Sequence, residues 1–256
     1  MAKTSDNSSP TERFSDRVRN YALYRPSYPQ AAIEWLVAEY HLGEATRIAD
    51  VGSGTGIFSS LLLSNGLSVV AVEPNDEMRQ ESDRVHLQNS LYSSVSGRAE
   101  ETFLASDSMD VIVAAQAFHW FNSVKSKKEF LRVLSPGGVL VLVWNKREKK
   151  SQFQSEYEGV LGTLPEYSKV THTRLSDTDI SDFFSDDMKH SKFPNSQEFD
   201  YEGFRGRVFS SSYTPNENEE CYREFSNDID DLFNRYSNNG LLSFSYTTEI
   251  FSGPIE

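Results

Sequence analysis

The sequence predicts a doubly wound α/β fold on three observations. Strand-like and helix-like segments alternate from residue 31 to residue 145. One strand-like run, LSVVAVEP (Leu67 to Pro74), is continuous and β-branched, as a strand covered on both faces requires. Another, RIADV, runs directly into a glycine turn, GSGTG, that opens a helix. With right-handed crossovers, this alternation yields a mostly parallel sheet with helices on both faces.

Each element follows from local chemistry. Residues 1 to about 13 are rich in Ser, Asn and Pro and are expected to be mobile. The aromatic, basic stretch FSDRVRNYALYRPSYP follows, and Pro29 suits the first turn of a helix over QAAIEWLVAEY. Arg47 to Val51 is the first strand, and the helical run IFSSLLLSNG stops at Asn65-Gly66, where glycine takes a left-handed cap. After the second strand, Asn75 caps the charged helix NDEMRQESDRVH. SLYSSVSGRAE reads as a third strand and MDVIVAAQAF (Met109 to Phe118) as a fourth. SVKSKKEFLRVL is helical, Ser135-Pro-Gly-Gly is a turn, and VLVLVWN is a fifth strand. Beyond Lys150 the rhythm breaks. A strand is expected around MKHSKFPNSQEF and another in the closing LLSFSYTTEIFSG, while NENEE and DIDD read as solvated faces.

Composition narrows the function classes. Twenty-five Lys and Arg against 38 Asp and Glu give a formal charge of −13, which disfavours attraction to nucleic-acid backbones. The single cysteine, Cys221, permits no intramolecular disulfide, and no His/Cys cluster has metal-binding spacing, so no metal is expected. The apolar stretches near Leu61 and Val139 are shorter than the roughly 20 residues a membrane span needs. A cytoplasmic setting is expected, with no membrane partner.

The chemistry concentrates after the first strand. In DVGSGTG, Gly52, Gly54 and Gly56 let a ligand approach the backbone above the strand's carboxyl end. The spacing is GxGxG, and Ile57 stands where a dinucleotide fingerprint wants glycine or alanine. Glu73 ends the second strand 19 residues after Gly54, the place from which a carboxylate accepts hydrogen bonds from both ribose hydroxyls of a nucleoside. An adenosine-type ligand follows, with NAD still open as an alternative.

The segments YALYRPSYP, DVGSGTG, VVAVEPNDEM, GRAE, MDVIVAAQAFHWF and SPGGVLVLVWN resemble the class I S-adenosylmethionine-dependent methyltransferases of the methyltransferase-11 group over roughly residues 14–146. AQAFHWF and YRPSYP resemble its trans-aconitate methyltransferase-like branch. The resemblance implies a seven-stranded Rossmann-like sheet in four parts: residues 1–30 as mobile terminus and cofactor lid, 31–150 as the cofactor-binding core, 151–240 as a substrate-side insertion, and 241–256 as a strand completing the sheet.

It also implies roles. Asp50 and the turn Gly52, Ser53, Gly54 and Gly56 would cradle the methionine part and ribose of S-adenosylmethionine, with Glu73 on the ribose and Pro74 and Met78 against the adenine. Ala99 and Glu100 would read the adenine edge, with Arg98 standing where many relatives carry a small or acidic residue, and Gln116 would sit against the methionyl group. Tyr21, Tyr24 and Arg25 would lie in the lid, Arg25 pairing with the methionine carboxylate.

Methyl transfer from a sulfonium is an in-line displacement that needs alignment more than a catalytic residue, and its product is S-adenosylhomocysteine. His119, at the carboxyl end of the fourth strand, is the candidate base for an acceptor with a proton to lose. Tyr24, His119, Trp120, Trp144, Arg207 and Tyr213 are the substrate-side candidates, with Lys146, Arg147, Arg174 and Arg205 as further cations for an acidic substrate. Ser210 is grouped with Arg207 and Tyr213. The acceptor is read as a small organic molecule, a carboxylate being one candidate. Two competing classes stay open: an NAD-dependent oxidoreductase, and a non-catalytic module that binds S-adenosylmethionine.

Overall fold

The computed structural model describes residues 24–86, 88–167, 180–211 and 213–256. Tyr21, Arg174 and the amino-terminal stretch expected to be mobile lie outside the described residues. Helix α1 (Gln30–Glu39) starts after Pro29 and buries Ala32, Ile33 and Leu36 along one stripe. Strand β1 (Arg47–Val51) then leads through the glycine turn into α2 (Ile57–Ser64). β2 (Ser68–Val72), α3 (Asp76–His86) and β3 (Tyr92–Val95) follow, with β4 (Met109–Ala115) on the other side of β1. β1 pairs in parallel with β2 and β4, and β2 with β3.

Three boundaries differ from the sequence reading. β3 stops at Val95, and GRAE instead forms a tight turn in which Arg98 and Glu101 bridge. β4 stops at Ala115, because Gln116 takes a left-handed backbone (φ 57°) and Phe118–Trp120 winds into one 3₁₀ turn. After α4 (Ser123–Val133), capped by the Asn122 side chain on the Lys125 N–H, β5 (Leu134–Arg147) begins earlier and ends later than expected. The expected turn at Ser135–Gly138 is an irregularity inside that strand: Leu134 pairs with Met109, then Val139 with Val111.

The second half supplies α5 (Gln152–Gly162), β6 (Lys189–Phe199), α6 (Tyr201–Phe209), α7 (Tyr222–Tyr236) and β7 (Leu242–Gly253). All seven strands form one sheet in the order β3-β2-β1-β4-β5-β7-β6, with β7 antiparallel to both neighbours. β7 is therefore inserted between β5 and β6. Two apolar cores cover the two faces of the parallel part: one includes Ala49, Val72, Ile112 and Phe130, the other Ile33, Ile48, Phe58 and Val113. A third core, with Phe153, Tyr157, Phe204, Ile229 and Phe244, packs α5, α6 and α7 against the far end of β7. Among the described residues no helix is long and apolar enough to cross a membrane.

Candidate active site

The carboxyl ends of the parallel strands open into a cavity of about 1000 Å³, large enough for a nucleoside and a second small molecule together. Its floor is the glycine turn. Gly52 holds a left-handed backbone (φ 71°), and a β-carbon there would stand 2.6 Å from that of Ala117. Gly52, Ser53 and Gly54 line the cavity, whereas Gly56 is turned away from it. A side chain at Gly56 would collide with Ser82, so that glycine lets α3 pack on the turn.

Two buried carboxylates stand beside this floor. Glu73 Oε2 accepts from the Gly54 N–H at 2.9 Å, and Oε1 from the Asn75 N–H at 2.8 Å. Asn75 in turn accepts from the Met78 N–H at 3.0 Å and is the helix cap its sequence suggests. Asp50 is completely buried. Its Oδ2 accepts from Ser59 Oγ at 2.7 Å, while Oδ1 has no hydrogen-bond partner. Burial, opposed by the Ser59 hydrogen bond and reinforced by the charge of Glu73, pushes its pKa up to about 6. Orphaned carboxylate oxygen at a ligand wall calls for a donor, and an ammonium group supplies one.

Pro74, Met78, Ala99 and Glu100 line the neighbouring wall, together with Arg98. Glu100 is partly engaged already: Oε1 accepts from the Asn122 N–H at 2.6 Å, tying the GRAE turn to the start of α4. Gln116 also faces the cavity and is fixed from behind, with Nε2 donating to the Asn145 carbonyl at 3.3 Å.

Asn145 organises the entry segment and was not among the residues expected to matter. Its Nδ2 donates to the carbonyls of Pro26 (3.3 Å) and Ser27 (3.1 Å), and its Oδ1 accepts from Thr248 (2.5 Å) and Asn195 (3.2 Å). Asn195 also donates to the Ser27 carbonyl at 2.7 Å. These bonds pin residues 26 and 27 across the sheet edge and place Arg25 on the cavity wall, close enough to act on His119. Tyr24 does not line the cavity. Its ring lies where a β-carbon of Gly206 would project, so it packs on α6.

The opposite end is built from the segment after β4, the end of β5 and the second half of the chain. His119 and Trp120 stand at the rim, and Trp120 is 81% exposed. Desolvation by the surrounding protein, with Arg25 adding to it, lowers the pKa of His119, leaving a neutral imidazole at pH 7. Trp144 lines the wall and packs edge-on against Phe118 and Phe251. Arg207 and Tyr213 are both on the wall, joined by Arg147 and by Tyr246, which the sequence reading missed. Arg147 is engaged by Glu158 and by Tyr167 Oη at 3.0 Å. Burial opposes the charge of Glu158, but Arg147 and Lys149 outweigh it and hold its pKa at about 2. Burial likewise raises Tyr213, yet Arg147 and Arg207 overcome that, so its phenol sits below the ordinary value. Arg205 is paired with Asp230 and lies off the cavity, and Lys146 lines it but is paired with Glu249 at 2.6 Å. Ser211, rather than Ser210, bonds the Arg207 guanidinium.

Sheet order and the parallel β1–β4 core with helices on both faces define a doubly wound α/β architecture. Residues 49–142 match the family model described as a methyltransferase domain. An uncharacterized methyltransferase of Mycobacterium tuberculosis H37Rv is 39% identical over 151 residues, which cover 58% of each protein. An uncharacterized methyltransferase-like protein of Schizosaccharomyces pombe is 31% identical over 153 residues, 58% of this chain and 57% of that one. The chain thus matches under two thirds of the length of these relatives. Among solved structures, one described as a proposed type II methyltransferase from Anaeromyxobacter dehalogenans superposes with a TM-score of 0.66 at 23% identity, covering 90% of this chain and 98% of that one. A phosphoethanolamine N-methyltransferase of Haemonchus contortus, solved with S-adenosyl-L-methionine, gives a TM-score of 0.54 at 15% identity over 97% of this chain and 58% of that one. The fold is the Rossmann-like α/β fold of methyltransferases.

Proposed function

We propose that this protein is an S-adenosylmethionine-dependent methyltransferase whose acceptor is a small organic acid. The observation that carries the reading is Glu73, a buried carboxylate fixed by the Gly54 N–H at the end of β2, with lone pairs left for two ribose hydroxyls. Asp50, with one oxygen lacking a partner, suits the methionine ammonium, and Arg25 suits the methionine carboxylate. Pro74, Met78 and Ala99 offer the apolar wall for adenine. When bound, the cofactor supplies an electrophilic methyl group on a sulfonium.

The chain's own residues then have three tasks. Gln116, braced by Asn145, orients the methionyl end; Trp144 and Phe121 exclude water; and the cationic end around Arg207 holds the acid. His119, neutral near pH 7, is placed to take a proton from an acceptor hydroxyl or amine, whereas a carboxylate nucleophile needs no base. The lone cysteine suits a reducing, cytoplasmic setting.

Calorimetry with S-adenosylmethionine, S-adenosylhomocysteine and NAD tests the class. Binding of the two sulfur nucleosides but not NAD is expected. Binding of NAD alone would make the protein an oxidoreductase, and cofactor binding without methyl transfer to any acceptor would make it a non-catalytic module.

A further inference from the structure

The cationic end of the cavity contains a buried guanidinium that no carboxylate of the described residues pairs with. Arg207, on α6, is 6% exposed and lines the cavity. Its Nη1 donates to Ser211 Oγ at 3.2 Å, and its Nε has no hydrogen-bond partner. Among the described residues no carboxylate forms an ion pair with it; burial works against its charge, while Tyr246, Tyr157 and Tyr213 favour it and Arg147 opposes it. Arg147, its neighbour, differs in being matched by Glu158. Tyr246 of β7, on the same wall and 3% exposed, has a hydroxyl without a partner. A buried guanidinium without a counter-charge is costly, and a carboxylate matches its planar fork.

We propose, resting on the methyltransferase reading above, that Arg207 and Tyr246 form a receptor for a carboxylate that the reaction leaves untouched. The acceptor is then a bifunctional acid: one carboxylate anchors it, and a second nucleophilic group, a hydroxyl, amine or further carboxylate, receives the methyl group. The reason is electrostatic. Methylating the anchored carboxylate would erase its charge as the new bond forms and strand the buried guanidinium in the transition state. An interaction that weakens on the way to the transition state slows the step. A retained carboxylate keeps Arg207 neutralised throughout. In the transfer, the second group's lone pair forms the bond to the methyl carbon as the methyl–sulfur bond breaks. The released electron pair stays on sulfur as a thioether, and any proton on the nucleophile passes to His119 or water.

Two matched pairs of acids test this: hexanoate with adipate, and benzoate with 4-hydroxybenzoate. Each is titrated calorimetrically into the full-length protein saturated with S-adenosylhomocysteine, and each is offered with methyl-labelled S-adenosylmethionine. All four acids are expected to bind, and only adipate and 4-hydroxybenzoate to accept label, in products that keep one ionisable carboxylate. Arg207→Gln is expected to weaken acid binding about 10- to 100-fold while S-adenosylhomocysteine affinity stays unchanged. Tyr246→Phe, which preserves shape, serves as the second variant and is expected to weaken acid binding severalfold. Failure of all four acids to bind the wild-type S-adenosylhomocysteine complex, or acid binding unchanged in both variants, overturns the receptor. Conversion of hexanoate or benzoate to its methyl ester as readily as its partner acid is methylated overturns the retained carboxylate. Failure of the methyltransferase reading is distinct, because the wild-type protein would then not bind S-adenosylhomocysteine.

Discussion

Glu73 and Gly54 are joined by a single hydrogen bond, 2.9 Å from the glycine N–H to Oε2, that closes the end of β2 onto the turn following β1. The other oxygen is bonded to the Asn75 N–H at 2.8 Å, so one side chain sets both the cavity floor and the start of α3. Replacing Glu73 with alanine is expected to cost cofactor binding on the order of 1.5–3 kcal/mol, the range for hydrogen bonds to charged groups. Calorimetry on a variant with native circular dichroism checks this, and wild-type affinity would remove Glu73 from the site.

Asp50 predicts a pH effect of definite sign. Its pKa moves from an ordinary 3.8 to about 6 in the fold, so between those values the native state binds more protons than the unfolded chain. Stability from this group therefore falls as pH rises from about 4 to about 6, by roughly 3 kcal/mol in total. Asp50→Asn keeps an acceptor for Ser59 and is expected to melt higher than wild type at pH 7, with the difference vanishing near pH 4. Parallel melting curves across that range would show that Asp50 titrates normally. The same variant is expected to bind S-adenosylmethionine more weakly.

Gly206 inverts a common rule. Alanine in a helix interior is favoured over glycine by about 1 kcal/mol, but here the Tyr24 ring occupies the space of the added β-carbon. Gly206→Ala is expected to destabilise the protein by roughly 1–3 kcal/mol, as overpacking does. In a Tyr24→Ala background the same change is expected to be neutral or stabilising, and urea unfolding of the double-mutant cycle measures the coupling. Equal effects in both backgrounds would show that the ring yields freely.

Asn145→Ala removes the donor that holds the Pro26 and Ser27 carbonyls and the acceptor used by Thr248. Faster amide exchange in the segment leading into α1 is expected, together with weaker cofactor binding through displaced Arg25. Hydrogen exchange followed by mass spectrometry reads the first effect directly; unchanged protection there would mean that Asn195 alone suffices.

The parallel half of the fold was readable because its strands are buried on both faces and write their burial as continuous runs, as in Val69 to Val72. The placement of the glycine turn and Glu73 on the cavity was readable for a related reason: it depends on backbone conformation and strand-end position, both local. The helical part beyond Lys150 was harder. In α7, Phe225, Ile229, Leu232 and Phe233 keep helical spacing, but the acids between them dominate the composition and suggested only a solvated face. Tyr246 and Asn145 carry no local mark, since alternate residues on a strand take their meaning from what packs opposite them. Tyr24 was assigned to the ligand because nothing near it in sequence announces Gly206.

Arg147 of β5 stands directly opposite Tyr246 of β7 in the sheet register, and Asn145, two residues earlier on β5, braces Gln116. Both ends of the cavity are thus written on one antiparallel ladder rather than on two hinged parts. Such a ladder works as a ruler: the distance from Asn145, which braces Gln116, to Tyr246 is graduated in strand residues. On the proposed reading, acceptors of a different length would be accommodated by exchanging side chains along β5 and β7, which leaves the glycine turn unaltered.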